Sequence, residues 1–321
     1  MKENYDNYKQ EFIYVLRMLN SCFVFPKKFV LMHDNIFLRY KIANIHEKDF
    51  KIRGTKEKDN KFENKFISIF ITDFKKHIPD EHLIIGIKNI KPINCYSDTF
   101  INYLFSLMCI GGLYNGKTHS IFINTMDKHK EVLYHELLHA MTSFKCGSLF
   151  ISGFSHKNIG YGLNEGYTDL ITNRLLNNSV YDYKIGYPYE SIVSRIIELI
   201  IGKEKMYSLY FKGDLSGLID TLSQYLHKSD VMNFMINLDK INHISYLRLV
   251  SSIKDLNEDT YLNNLYNQIT LFLYKLLSGK FNECCTFDDI NSYLHISKEA
   301  INLIQLLSNY TTFEREKNVI K

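Results

Sequence analysis

The sequence predicts an α+β fold in which a mixed α/β first half gives way to an all-helical second half. Three observations carry this. Between Lys27 and Ile93 the apolar residues alternate or cluster in short runs, the pattern of strands. Beyond Ile171 they recur every three or four residues, the pattern of helices that bury one face. Between the two lies Glu131–Thr142, EVLYHELLHAMT, a helical segment in which uncharged residues surround two histidines and a glutamate.

The composition supports a folded chain of this kind. Of 321 residues 45% are hydrophobic, with 23 Tyr and 22 Phe against only 4 Pro, which is ample for a sizeable core. Three regions are expected: an N-terminal α/β region at 1–115, a central core at 116–180 and a helical lobe at 181–321. The net charge is +4 with acidic and basic residues mixed throughout, so no face is built for nucleic acid and none is expected as a partner. Six cysteines show no paired framework and no metal-type spacing, and Cys284 and Cys285 are adjacent, which suits reduced thiols in a cytosol.

In chain order, Phe12, Ile13, Leu16 and Leu19 give an amphipathic start without the apolar core or cleavage site of a signal peptide. Strands are expected at Phe29–His33 and Ile36–Ile42 around an Asp34-Asn35 turn, and again at Phe66–Ile71 and Leu83–Ile87. The charged stretch Arg53–Lys65 reads as a solvated loop. Thr99–Ile110 reads as a buried helix ended by Gly111-Gly112, and Thr118–Thr125 as a strand. Apolar runs such as Tyr103–Leu113 fall well short of the roughly 20 residues a membrane span needs. A soluble, cytoplasmic protein is therefore expected. In the second half, helices are expected at Ser191–Ile201, Asp214–Leu226, Val231–Leu249, Leu256–Leu277 and Lys298–Ser308, with Gly202, Gly213 and Gly279 as punctuation.

The chemistry concentrates in the central region. His135 and His139 stand four residues apart, which on a helix places both imidazoles on one face, one turn from each other. Two neutral imidazole nitrogens in that arrangement can bind one Zn2+ at about 2.0–2.1 Å each. Glu136, next to the first histidine, is turned away from coordination but within reach of a water on the metal, the position of a general base. A catalytic zinc takes three protein ligands and keeps a fourth position open. Downstream, Tyr161–Asp169 leads into the helical pattern of Leu170–Leu176, with Glu165 near its start and Asp169 one turn on along the same face. A carboxylate ligand and a second acid thus come as a pair.

HELLH followed by Asn164-Glu165 and Asp169, in the spacing Asn-Glu-x-x-x-Asp, resembles the thermolysin-like gluzincin metallopeptidases. Leu163-Asn-Glu-Gly and Tyr187-Pro-x-Glu are also similar to stretches of predicted zinc peptidases of low-GC bacteria. The likeness runs from about Thr118 to Glu190, and its motifs are specific only around the two quoted segments. It implies a zincin-like fold acting on a peptide or protein substrate. It implies His135, His139 and Glu165 as ligands of one Zn2+, Glu136 as the base that activates a zinc-bound water, and Asp169 as the acid that accepts the free ring N–H of His135. It also implies an edge strand before the active-site helix, assigned here to Thr118–Thr125, to which substrate backbone would add.

Ala140–Ser148 holds no third histidine of the Met-turn kind, and there is no Gly-x-Met-Glu-Asn stretch of the aminopeptidase branch, so an endopeptidase is expected. The extended calcium-binding region of thermolysin has no counterpart. Gluzincins commonly add a Tyr or His to stabilise the developing oxyanion. Tyr161, Tyr183, Tyr187, Tyr189, His227 and His243 compete for that role, and Tyr187 is favoured because Gly186-Tyr-Pro-Tyr-Glu190 forms a rigid turn soon after the Glu165 helix. The alternative function is a zinc-binding regulatory or interaction protein of the same fold, with narrow activity or none.

Overall fold

The computed structural model describes residues 55–57, 68, 72, 75, 80–90, 94–97, 111–115, 120–124, 130–146, 149–156, 159–176, 186–250 and 256–309. Within these it is α+β, mostly helical with two small sheets. The expected elements at Phe12–Leu19, Phe29–His33, Ile36–Ile42 and Thr99–Ile110 lie outside the described residues.

The larger sheet has four strands, β1 (Thr55–Glu57), β2 (Asn94–Ser97), β3 (Gly112–Asn115) and β4 (Ser120–Ile123), in the order β1-β2-β4-β3. β2 and β4 run parallel, and the outer strands pair antiparallel. Ile121 and Phe122, successive residues that face opposite sides of β4, are both fully buried, as an interior strand requires. This corrects one expectation. The strand within Thr118–Thr125 does form, but it is not an edge: Ile121 pairs with Cys95 on one side and with Tyr114 on the other. Among the described residues, the edge beside it is β3. Gly111 just before that strand and Gly112 at its start lack side chains, which lets the chain lie over Val132 and Glu136 of the next helix.

Helix α1 (Asp80–Ile90) replaces the strand expected at Leu83–Ile87. Leu83 and Gly86, three apart, are the buried side, and Gly86 brings the helix against Met141, whose carbonyl would lie 3.1 Å from a β-carbon there. Ile84 and Ile85 are 51% and 46% exposed, and these two fill the gaps in the helical pattern so that it reads as a strand run. Ser68 and Thr72, within and just after the strand expected at Phe66–Ile71, are also helical, and the Thr72 hydroxyl donates to the Ser68 carbonyl one turn back. The stretch read as a loop, Arg53–Lys65, contains β1.

Helix α2 (Lys130–Met141) packs on β3, β4 and α1 and runs straight into a hairpin, β5 (Ser143–Cys146) and β6 (Leu149–Ser152). The periodicity gives no sign of this hairpin. Helix α3 (Tyr161–Leu175) follows and crosses α4 (Pro188–Ile201) closely at Gly166, where a β-carbon would fall 2.3 Å from the Glu190 backbone. Any side chain there would push the two helices apart.

The helical half continues with α5 (Lys203–Lys212), α6 (Leu215–Leu222), α7 (Lys228–Val250), α8 (Leu256–Asn282) and α9 (Phe287–Ser308). Four of the five expected helices start within three residues of their predicted starts; α9 begins eleven residues earlier than Lys298. Its start is fixed by a capping box in which Thr286 and Asp289 each satisfy the other's backbone N–H. Gly279 lies inside α8 instead of ending it, because it meets the Tyr225 backbone at a distance no side chain permits. α5, between Gly202 and Gly213, goes unread in the sequence.

One apolar core joins α2, α3 and α4 to the later helices, with Tyr167, Tyr207, Tyr210 and Phe154 packed as a cluster behind α3. On the same side, the Glu198 carboxylate takes both Arg174 guanidinium nitrogens at 2.7 and 2.6 Å, Arg195 at 2.9 Å and the Tyr167 hydroxyl at 2.8 Å. Burial opposes its charge, but this hydrogen bonding wins and holds Glu198 below the usual carboxylate range. Among the described residues, no helix is long and apolar enough to cross a membrane.

Candidate metal centre

α2 projects His135 and His139 from one face, as their spacing requires, and their Nε2 atoms come within 2.9 Å of each other. Glu165, on α3, brings Oε2 to 3.0 Å from the first and 3.4 Å from the second. All three side chains are buried. The expected ligand residues are therefore brought together, and among the described residues they form a group able to hold one metal ion.

The chemistry of these donors fits a cation. Asp169 Oδ1 accepts from His135 Nδ1–H at 2.6 Å, which leaves the Nε2 lone pair of that ring facing inward. It faces a second imidazole nitrogen and a carboxylate oxygen. Three electron-rich atoms converging in a buried space repel unless a positive charge lies between them. Burial alone would pull the His135 imidazole down, but the Asp169 and Glu165 carboxylates outweigh it and raise it well above its ordinary value. Burial likewise pushes Glu165 up, and the two imidazoles reverse this to hold it well below the usual range.

The end of α2 is fixed by the hairpin. The His139 carbonyl, one of the orphans at the helix C-terminus, accepts from Ser143 Oγ, from Ser152 Oγ at 3.1 Å and from Thr142 Oγ1 at 3.3 Å. Asn164 is a further functional residue, quoted in the motif but given no role by sequence reasoning. Its Oδ1 accepts the Phe154 N–H at 2.9 Å and its Nδ2 lies 3.4 Å from His139 Nδ1, which sets its amide against the second imidazole. Gly153 makes room for it. With φ at +52° and a hypothetical β-carbon only 2.2 Å from Asn164 Oδ1, this position admits no side chain.

Glu136 does not join the three donors. Its carboxylate accepts the backbone N–H of Tyr114 on β3, which places it between the donor group and the sheet edge. Burial pushes it above the usual carboxylate range, against the opposing pull of His135 and His139.

Tyr187, at the N-cap of α4, donates its backbone N–H to Asp169 Oδ2 at 2.8 Å, and its ring stacks on His135 at 5.9 Å. Both Asp169 oxygens are thereby used, one on the first imidazole and one on Tyr187. Burial, then the neighbouring Glu165, Tyr161 and Asp169, push the Tyr187 phenol well above its ordinary value, so it stays a hydrogen-bond donor.

The other tyrosines and histidines separate clearly. Tyr161 is 50% exposed at the first position of α3, in the electrostatic neighbourhood of Tyr187. Tyr189 is fully buried against Tyr266. His227 is bonded to Ser229, and His243 is exposed on α7. Tyr183 lies outside the described residues. No family model, no curated protein and no solved structure matches the chain.

Proposed function

We propose that the protein is a zinc-dependent peptidase of zincin type, an endopeptidase, working through Glu136. The observation that carries this reading is the placement of one buried carboxylate beside, but outside, a His-His-Glu donor group and against a sheet edge. Zinc suits the donors. Ligand atoms at about 2.0–2.1 Å on a tetrahedral zinc lie about 3.3 Å apart, and the separations here are 2.9, 3.0 and 3.4 Å.

His135, His139 and Glu165 would hold the ion. Bound there, it would supply Lewis acidity, polarising a scissile carbonyl and lowering the pKa of water. The chain's own residues do the rest. β3, the sheet edge beside Glu136, is the side on which an extended peptide can align as an added strand. Glu136 takes the proton of the attacking water and returns it to the departing amine, a role that needs a carboxylate close to the reacting atoms and not itself a ligand. The Tyr187 phenol, beside His135, donates to the oxygen on which charge develops. Asp169 fixes His135 in the tautomer that turns Nε2 inward and anchors the Tyr187 backbone, so one carboxylate orients a ligand and the oxyanion donor together.

The test is mass-spectrometric profiling of cuts in a diverse peptide library, with the zinc-loaded protein, its Glu136→Gln variant and the protein plus chelator. Cuts by the untreated protein alone are expected. No cuts from a folded, zinc-loaded sample would overturn general peptidase activity and favour a narrow regulatory or binding role.

A further inference from the structure

Helix α3 begins without a cap of its own. Its N-cap is Gly160, in the left-handed region at φ +82°, which offers no side-chain acceptor for the orphan N–H groups of the first turn. Those groups instead point at Asp239, in the middle of α7, whose two carboxylate oxygens accept the Gly162 N–H at 2.7 Å and the Gly160 N–H at 2.9 Å. The Tyr161 N–H donates to the same carboxylate. Beside it the Leu238 carbonyl approaches Gly162 so closely that a β-carbon there would lie 2.8 Å away. The start of α3 is thus seated on α7 by hydrogen bonds and by contact.

The next residues along α3 are Asn164 and Glu165, whose side chains meet His139 and both imidazoles. The first intrahelical bond, from Asn164 N–H to the Gly160 carbonyl at 2.9 Å, links them rigidly to the seat. We infer that Asp239 is a positioning residue: through the first turn of α3 it sets where Glu165 and Asn164 stand relative to the two histidines, so that a helix of the C-terminal half tunes metal affinity.

This inference rests on the metal-centre reading above, and its test separates the two. Zn2+ alone is titrated into the full chain against a chromogenic chelator, for wild type, Asp239→Ala, Asp239→Asn and Leu303→Ala. The last is a buried core change on α9, which carries none of these residues. The metal-free melting temperature of each is recorded. Asp239→Ala should weaken Zn2+ binding about tenfold, the lower end of the range for lost outer partners of metal ligands. Asp239→Asn, which keeps an oxygen acceptor but not the charge, should fall between. Leu303→Ala should lower the melting temperature while leaving affinity unchanged.

Affinities of both Asp239 variants within twofold of wild type would overturn the inference while leaving the metal centre standing. So would an equal loss in Leu303→Ala, which would mark a general stability effect. If Asp239→Ala does not fold, Asp239→Asn decides. A wild type that binds no Zn2+ would overturn the metal-centre reading and this inference with it.

Discussion

Gly112 of β3 lies directly over Glu136 of α2: a β-carbon on Gly112 would come 3.0 Å from Glu136 Cγ and 2.6 Å from a Val132 methyl. The sheet edge and the proposed base are therefore held at a distance that only glycine allows. Gly112→Ala should displace Glu136 and cut peptide turnover at least tenfold, with an overpacking cost of about 1–3 kcal/mol in stability. Bound zinc should be unchanged, since none of the three donors is touched. Adding Val132→Ala should restore part of the loss. Turnover equal to wild type in the single variant would show that the close approach does not matter.

Tyr187→Phe removes one hydroxyl and keeps the ring against His135 and the backbone bond to Asp169. Turnover should fall by about 10²–10³, the scale of losing one oxyanion donor. Zinc content and melting temperature should hold. A variant as active as wild type would remove Tyr187 from the chemistry.

Asp169→Asn leaves a neutral group between His135 Nδ1 and the Tyr187 N–H. Zinc affinity should drop about 10–100-fold, as when such partners are lost from metal-binding histidines. Competition titration measures it, and an unchanged constant would contradict the assigned role.

Burial pushes the Asp239 carboxyl up to about 6, against the pull of its three backbone N–H donors. An aspartate in the unfolded chain titrates at about 3.9. The folded state thus holds the proton more tightly, so this group's stabilising contribution is complete below about pH 4 and is lost as pH rises through about 6. The change is on the order of 3 kcal/mol. Urea unfolding of wild type and Asp239→Asn between pH 4 and 7 should show wild-type stability falling relative to the variant across that window. A constant difference would contradict it.

The donors were legible in the sequence because a helix converts spacing into direction. His135 and His139 one turn apart, and Glu165 and Asp169 one turn apart, need only local geometry to be read. What orients them is not local. Asn164 depends on Phe154 and on a left-handed Gly153, the His139 carbonyl on a hairpin without periodic signal, and the start of α3 on an aspartate 79 residues downstream of Gly160. The strand expected at the edge was misplaced for a related reason. An apolar run such as Ser120–Ile123 shows burial, but its neighbours in the sheet come from pairing that no window of sequence contains. α1 was hidden by Ile84 and Ile85, which are apolar where the helical pattern calls for polar residues.

The seat of α3 on α7 also sets the smallest piece of this protein that can be transplanted or expressed alone. A fragment ending at Ile201 would contain all three donors, Glu136, Asn164, Asp169 and Tyr187, yet it would leave the first N–H groups of α3 with no acceptor and Gly162 with no wall to rest on. The motif is portable as a string of letters, but as a working unit it includes the helix at Lys228–Val250.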